Sequence, residues 1–288
     1  MTLELVPARP EHVSELGRIC YEAFKDISDR HGFPTDFTSV RFARMVIGSL
    51  VKREDYYGVA ALADGQPAGS TFLLGADEVG GVGPVTVEVS EQGNGIGRAL
   101  MQNVLEHARQ AGLERVRLMQ DSFNLSSLSL YASVGFDVKE PVAMMQPPAD
   151  PPAAGDGSVR PAGEDDLPAI EEMSKRIYRV NRRNEVAADL RGPFKPWLRE
   201  RGGRATGYFV LGIAGHGVAE TEDDAFALVM HAASQTPPEY GRFFCPLTEG
   251  SLYRRFLAAG CRAIKVMNLM ALGPYEPPDG VWLPSVIY

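Results

Sequence analysis

Apolar positions along this chain follow two periods, one typical of helices and one typical of strands. Apolar residues recur every three to four positions in segments that predict amphipathic helices: residues 11–29, 37–51, 95–111 and 125–134. Runs rich in β-branched and small apolar residues predict strands at residues 2–7, 57–63, 68–74, 83–90, 115–120 and 136–145. Asp64-Gly65 lies between two of these strands and predicts a hairpin turn. Because strands first follow one another and then alternate with helices, we predict an α/β fold with a mixed sheet.

The chain divides near its middle at a segment rich in proline. Residues 147–157 hold four prolines and no apolar periodicity, which predicts a linker. The sequences on its two sides open alike, because residues 6–8 and 160–162 each lead into an acidic helix start. A chain of 288 residues is also long for a single core. We therefore predict two copies of one fold, over residues 1–146 and 158–288, joined by the linker.

Composition and charge exclude several classes of partner. The formal net charge of −8 opposes binding to nucleic acid, and Lys and Arg form no dense stripe. Cys20, Cys245 and Cys261 have no paired spacing, which argues against a disulfide framework and against a structural zinc site. The chain shows neither a signal-like start nor an apolar run long enough to span a membrane. We expect a cytoplasmic protein with no bound metal and no membrane partner.

The candidate chemistry lies where the predicted strand 83–90 meets the predicted helix 95–111. Residues 92–98 there read Gln-Gly-Asn-Gly-Ile-Gly-Arg. Such a turn lets a phosphate approach the backbone, and the free N–H groups and dipole of the helix attract it. The segment matches neither Gly-x-Gly-x-x-Gly in an early βαβ unit nor the Gly-Lys-Ser/Thr of a P-loop. A purely structural turn that requires positive φ angles stays open as the alternative.

Two stretches of this region resemble the signatures of GNAT acetyltransferases. Gln92, Gly95 and Gly97 match the family's cofactor signature Gln/Arg-x-x-Gly-x-Gly/Ala. Asn124 and Tyr131, followed by Gly-Phe at 135–136, match its second signature, in which an Asn opens a helix that carries a Tyr. The resemblance implies two tandem GNAT-type acyl-CoA N-acyltransferase domains. It also implies that the second is degenerate, since Phe replaces the Tyr at 256 and carboxylates crowd a helix start at 220–224.

The resemblance assigns a cofactor site for acetyl-CoA, which would serve as the co-substrate. Backbone groups of Val87 and Val89 would pair with the pantetheine arm, and Asn124 would orient that arm. The pyrophosphate would bind the turn and the N–H groups that follow Gln92: Gly93, Asn94, Gly95, Ile96, Gly97 and Arg98.

The resemblance also implies direct attack of an amine on the thioester. Tyr131 would protonate the departing thiolate, and the N–H of Val87 would stabilise the oxyanion. A core aromatic residue is the structural alternative for Tyr131. A lysine-like amine with a pKa of ~10.4 must first lose a proton. Several family members place a glutamate before the signature, whereas residues 80–84 here hold nothing ionisable. Glu88 is the nearest carboxylate and is predicted as the base, with a water chain as the alternative.

The acceptor site is predicted between the first two helices. The segment 30–37 contains His31, Phe33 and Asp36, which suit an amine-bearing small molecule, although an ordinary inter-helix turn is the alternative. We predict an N-acetyltransferase that acts on a primary amine of a small molecule. A non-catalytic acyl-CoA sensor is the second hypothesis and a structural module the third. Association into a homodimer stays open.

Overall fold

The computed structural model describes residues 2–151, 158–192 and 194–288, and its chain forms two compact units. The first unit comprises Met1–Asp137 with Met270–Pro274, and the second comprises Val138–Leu269 with Tyr275–Tyr288. The predicted α/β class with a mixed sheet is confirmed. Residues 152–157 of the predicted linker lie outside the described residues, so the domain boundary stays a prediction.

The first unit is built from six strands and four helices. In chain order these are β1 (Leu3–Pro7), α1 (Val13–His31), α2 (Val40–Lys52), β2 (Tyr56–Ala63), β3 (Gln66–Leu74), β4 (Val79–Val82), β5 (Thr86–Val87), α3 (Ile96–Gln110), β6 (Arg115–Asp121) and α4 (Leu125–Ser133). Its sheet has the order β1-β2-β3-β4-β6, and β5 pairs with β3. All neighbours are antiparallel except β4 and β6, which are parallel.

Two apolar layers hold this sheet. One face packs on α3 through the buried residues Ile96, Leu100, Met101, Val104 and Ala108. The other face packs on α1 and α2, whose buried residues include Leu16, Cys20, Ala43 and Ile47. Because both faces of β3 are covered, its residues from Ala68 to Leu74 are all buried. The sheet is therefore a fixed platform for the turns at its ends.

The predicted hairpin is confirmed, whereas the predicted strand 83–90 is wrong. Asp64 and Gly65 both have positive φ angles and connect β2 to β3. In place of one long strand, the chain forms β4, which was not predicted, and the two-residue β5. Pro84 has no N–H for a ladder hydrogen bond, and residues Val89–Glu91 form a 3-10 turn. Residues 79–87 therefore pair with β3 at two places, first through β4 and then through β5, and leave β3 between them.

The remaining elements belong mainly to the second unit. They are β7 (Asp137–Gln146), β8 (Val159–Pro161), α5 (Leu167–Met173), α6 (Arg183–Asp189), β9 (Trp197–Arg201), β10 (Arg204–Phe209), β11 (Gly217–Ala219), α7 (Glu222–Ser234), β12 (Phe243–Pro246), α8 (Gly250–Ala258), β13 (Arg262–Leu272) and β14 (Val281–Leu283). Asp137 of β7 and Met270–Leu272 of β13 belong to the first unit. A five-stranded sheet has the order β14-β11-β10-β9-β8, and β7 pairs with β12. Within the described ranges, no helix is long and apolar enough to cross a bilayer.

Replacing Ser39 with alanine is expected to destabilise the first unit by about 1 kcal/mol. Ser39 is the N-cap of α2, and its hydroxyl oxygen accepts a 3.1 Å hydrogen bond from the N–H of Phe42. Alanine leaves that N–H to solvent. Urea unfolding of Ser39→Ala and of Ser39→Asp, which keeps a hydrogen-bond acceptor, measures the free energy that the cap contributes. Equal loss of stability in both variants would contradict this role.

Candidate active site

The free edge of β5 is the first component of the site. β5 pairs with β3 through Gly69 opposite Val87 and Ser70 opposite Thr86, and the N–H of Glu88 donates to the oxygen of Ala68 at 2.9 Å. Bonded and non-bonded pairs alternate along an antiparallel ladder, so the N–H and C=O of Val87 point away from β3. Over the described part of the chain, β5 has no second partner strand. The N–H of Val87 therefore faces an open edge, as the sequence analysis predicts for the oxyanion donor.

A bulge between β4 and β5 opens this edge. Leu73 pairs with Val82 and Ser70 pairs with Thr86, so two residues of β3 face the three residues 83–85. The parallel ladder between β4 and β6 ends at Gly81 opposite Arg117. Beyond that point β6 continues to Asp121 without β5 as a neighbour. The result is a gap between strands that a ligand arm can enter.

The glycine turn forms an uncapped helix start beside the gap. Gly93 and Gly95 both have φ of 86°, and Gly95 is the N-cap of α3 with no side-chain cap. The first helical hydrogen bond runs from the N–H of Ala99 to the oxygen of Gly95. The N–H groups of residues 96–98 therefore have no carbonyl one turn earlier. Together with the helix dipole, they form a seat for an anion.

The other predicted members of the turn hold it in shape. The side chain of Gln92 donates to the oxygen of Val87 at 3.3 Å, and that of Asn94 donates to Glu91 at 3.0 Å. Val89 lies in the 3-10 turn, and its N–H already donates to Glu88 at 3.0 Å. Its assignment to the pantetheine arm rested on the strand 83–90, which the structure does not form.

The first turn of α3 lies against the end of α4. A Cβ built on Gly97 would stand 3.1 Å from the side chain of Leu130, and Arg98 donates to the hydroxyl of Ser133 at 2.8 Å. This contact explains why a small residue follows the turn at position 97. It also places α4, the helix that carries Tyr131, beside the first turn of α3.

Tyr131 is buried, with 8% of its surface exposed. Burial raises the pKa of Tyr131 above its ordinary value, and the negative charge of Asp121 raises it further. The phenol is thus protonated at neutral pH, which is the state that a general acid requires. Its ring also contacts Phe136 at a centroid distance of 6.4 Å, so it contributes to packing as well.

Asn124 has a structural partner of its own. It is the N-cap of α4, and its side-chain oxygen accepts a 3.1 Å hydrogen bond from the N–H of Ser127. The amide of Gln120 donates to the oxygen of Asn124 at 2.8 Å and ties the cap to β6. The predicted contact of Asn124 with the cofactor arm stays a prediction.

Glu88 is held in an ion pair. Its carboxylate accepts from Arg18 at 2.6 Å, and Arg18 also pairs with Glu15 and Glu22 on α1. These hydrogen bonds, the one to Glu15 first, raise the pKa of Arg18, which therefore stays charged. The pairing places the side chain of Glu88 on the α1 face of the sheet. Arg18 thus engages one carboxylate oxygen and the N–H of Val89 engages the other, which weighs against Glu88 as the base.

Two of the three predicted acceptor residues meet on one ring. Phe33 stacks on Phe123 at 4.4 Å with the rings 9° apart, and His31 lies 5.3 Å from the same ring. The charge of Asp36 acts on Cys20, whose pKa is raised by burial first and by Asp36 second. Phe123 is not among the residues predicted from the sequence, because no periodicity marks it. Its position directly before the cap residue Asn124 is the one available signal.

The second unit has a different helix start. Thr221 caps α7, and Asp224 in its first turn is 1% exposed and pairs with Arg199 at 3.3 Å and Arg201 at 2.8 Å. A buried carboxylate thus takes the place that an anion would need. Phe256 is fully buried and packs on Phe243 at 4.8 Å. Throughout the described ranges, no three His, Cys, Asp or Glu side chains group as metal ligands.

Sequence comparisons find relatives of part of this chain. The model of the acetyltransferase (GNAT) family matches residues 18–136. The mycothiol acetyltransferase of Nocardiopsis dassonvillei is 37% identical over 91 residues, which are 32% of this chain and 24% of that protein. The mycothiol acetyltransferase of Thermobifida fusca is 36% identical over 81 residues, 28% of this chain and 22% of that protein. The match therefore spans only about a quarter of these relatives.

Solved structures share the fold over nearly the whole chain. A protein of Pyrococcus horikoshii superimposes with a TM-score of 0.77, covering 97% of this chain and 92% of that one at 16% identity. A GCN5-related N-acetyltransferase from Sphaerobacter thermophilus covers 97% of both chains with a TM-score of 0.59, also at 16% identity. Identity at this level shows the fold alone. Residues 18–136 therefore match the GNAT acetyltransferase family by sequence, and the chain as a whole shares the fold of these structures.

Proposed function

We propose that this protein is an acetyl-CoA-dependent N-acetyltransferase that acts on a primary amine of a small molecule. The observation that carries the proposal is the uncapped start of α3 beside the free edge of Val87 and the protonated phenol of Tyr131. Relatives named mycothiol acetyltransferases support an acceptor of small-molecule size. The buried Asp224 at the start of α7 supports the proposal that the second unit is degenerate, because it occupies the helix start where a cofactor phosphate would bind.

Acetyl-CoA would bind across the gap between β5 and β6. The N–H groups of residues 96–98 would hold its pyrophosphate, because they point from a helix start that no side chain caps. The pantetheine amides would pair along the free edge of Val87. This arrangement directs the thioester carbonyl toward the N–H of Val87, where charge develops on the oxygen during transfer.

The reaction needs no covalent enzyme intermediate. The amine nitrogen attacks the thioester carbonyl, a C–N bond forms, and the tetrahedral oxyanion accepts a hydrogen bond from Val87. When it collapses, the C–S bond breaks and the electron pair passes to sulfur, which takes the proton of Tyr131, while a proton leaves the nitrogen and restores the phenol. A buried phenol suits this task, because it keeps its proton until the thiolate forms.

The first test is a thermal unfolding experiment with acetyl-CoA. Ligand at a hundredfold excess over its dissociation constant should stabilise the protein by about 2.7 kcal/mol. That gain should raise the melting temperature by a few degrees. Release of free CoA thiol with a panel of primary amines then tests transfer. A wild-type protein that acetyl-CoA does not stabilise would refute the proposal.

A non-catalytic acyl-CoA sensor is the second candidate. It is favoured by the ion pair of Glu88 with Arg18 and by the lack of an ionisable side chain over residues 80–84. The sensor predicts stabilisation by acetyl-CoA without thiol release for any amine of the panel. Thiol release, the second measurement of the same experiment, therefore distinguishes the two functions.

A further inference from the structure

We propose that the turn after β6 forms the acceptor subsite, in which the carboxylate of Asp121 takes the proton of a cationic primary amine and the ring of Phe123 lines the wall. This inference rests on the proposed function and deepens it, since it names the base and the charge class of the acceptor. Neither residue was predicted from the sequence to act in the site.

Asp121 lies at the far end of the gap. It is the last residue of β6, four residues beyond Arg117, where the ladder with β4 ends. Gln120 donates its amide hydrogens to Asn124 and Ser127 of the α4 segment. Val116 and Leu118 of β6 pack in the core with α3. Because successive strand residues point to opposite faces, the side chain of Asp121 points to the other face, that of α1 and α2. The predicted acceptor segment, residues 30–37, lies on this second face through Phe37.

The same turn carries the aromatic wall. Phe123 is two residues after Asp121, and the N–H of Asn124 donates to the oxygen of Asp121 at 2.9 Å, which closes the turn. His31, the last residue of α1, and Phe33, which follows it, both lie against the ring of Phe123. A carboxylate and the face of an aromatic ring both attract a cation. The turn is therefore suited to a primary ammonium group carried on an apolar or ring-shaped body.

Asp121 also lies close enough to Tyr131 for its charge to act on the phenol. The charge of this turn therefore reaches the acid, and its ring contacts His31 and Phe33. Glu88, the base predicted from the sequence, instead binds Arg18 and the N–H of Val89. The elements around this turn carry further titratable or charged groups. They include Tyr131 of α4, Glu88 beside β5, Arg115 and Arg117 of β6, and on α1 Glu15, Arg18, Glu22, Lys25, Asp26, Asp29, Arg30 and His31.

Asp121, water and Tyr131 carry the protons of the reaction. The ammonium gives its first proton to Asp121, which later passes it to water. The neutral nitrogen attacks the thioester carbonyl, and the C–N bond forms as the C–S bond breaks. Sulfur takes the electron pair and the proton of Tyr131, and the second amine proton restores the phenol. The products are the amide, free CoA thiol and one proton.

The test compares Asp121→Asn with the matched variant Glu88→Gln, using 2-phenylethylamine as acceptor and thiol release from pH 6 to pH 10. Asp121→Asn should lower kcat/KM at pH 7 by about a hundredfold. The deficit should shrink by about tenfold per pH unit, because solvent supplies the free amine as the pH approaches its pKa. Glu88→Gln should keep the wild-type profile within a few fold. Stabilisation by acetyl-CoA should be intact in both variants.

Three outcomes would overturn the inference. They are a wild-type profile in Asp121→Asn, a pH-dependent deficit in Glu88→Gln instead, and no transfer to 2-phenylethylamine by a wild-type protein that acetyl-CoA stabilises. Absence of stabilisation in the wild type would refute the proposed function itself. For the wall, Phe123→Leu should raise the KM of the amine at least about tenfold, whereas Phe123→Tyr should retain it. An unchanged KM in Phe123→Leu would remove the wall from the proposal.

Discussion

Gly95→Glu is expected to abolish the stabilisation of this protein by acetyl-CoA. Gly95 has φ of 86° and is the N-cap from which the free N–H groups of α3 start. Open space surrounds it, so a glutamate side chain fits without a clash, and the loss comes from its charge and from backbone strain. A carboxylate at the helix start competes with the pyrophosphate for the same N–H groups. Titration of the melting temperature with acetyl-CoA measures the effect.

Gly112 offers a matched control for this variant. It lies just after the other end of α3, has φ of 75°, and also has open space where a Cβ would stand. Gly112→Glu therefore carries the same charge change and a similar backbone strain. Both variants should melt lower than the wild type, but only Gly112→Glu should keep the gain of about 2.7 kcal/mol at a hundredfold ligand excess. Equal gains in both variants would mean that the turn is only structural.

Tyr131→Phe is expected to lower kcat by about a thousandfold while leaving acetyl-CoA binding intact. The variant keeps the ring that packs near Phe136 and removes only the proton donor. Without it, the thiolate must leave unprotonated, which raises the barrier to breaking the C–S bond. Tyr57→Phe is the control, because it removes another hydroxyl of the same unit, one that donates to Asn103 at 2.9 Å. Thiol release and the thermal shift together separate chemistry from binding.

The raised pKa of Tyr131 sets the pH dependence of this step. The acid works in its protonated form, and burial moves its pKa above the ordinary value of 10. Activity that depends on the phenol is thus present below pH 10 and is lost only as the pH rises beyond it. A wild-type rate that falls on the alkaline side well below pH 10 would contradict the assignment, as would a Tyr131→Phe variant with the wild-type kcat.

Local sequence signals predicted the elements of this unit but not the contacts between them. Asp64-Gly65 marks its hairpin because the turn needs positive φ angles, which is a local property. The bulge at 83–85 was missed, since valine and threonine around Pro84 suggest one strand until the pairing with β3 is known. The ion pair of Arg18 with Glu88 joins residues 70 positions apart, and no periodicity encodes it. The signatures predict the proposed cofactor turn, whereas the proposed acceptor turn at Phe123 is visible only from packing.

The free edge of Val87 makes the sheet of the first unit incomplete on its own. Its outward N–H faces no strand among the residues that the structure describes, so in the free protein it should exchange its hydrogen with solvent quickly although it lies within a strand. A pantetheine arm carries amides like a peptide and would act as a surrogate strand. Exchange at this single amide should therefore slow when acetyl-CoA binds, while the N–H of Glu88, already bonded to Ala68, should change little. The ligand would in effect become a structural element of the fold for as long as it stays bound.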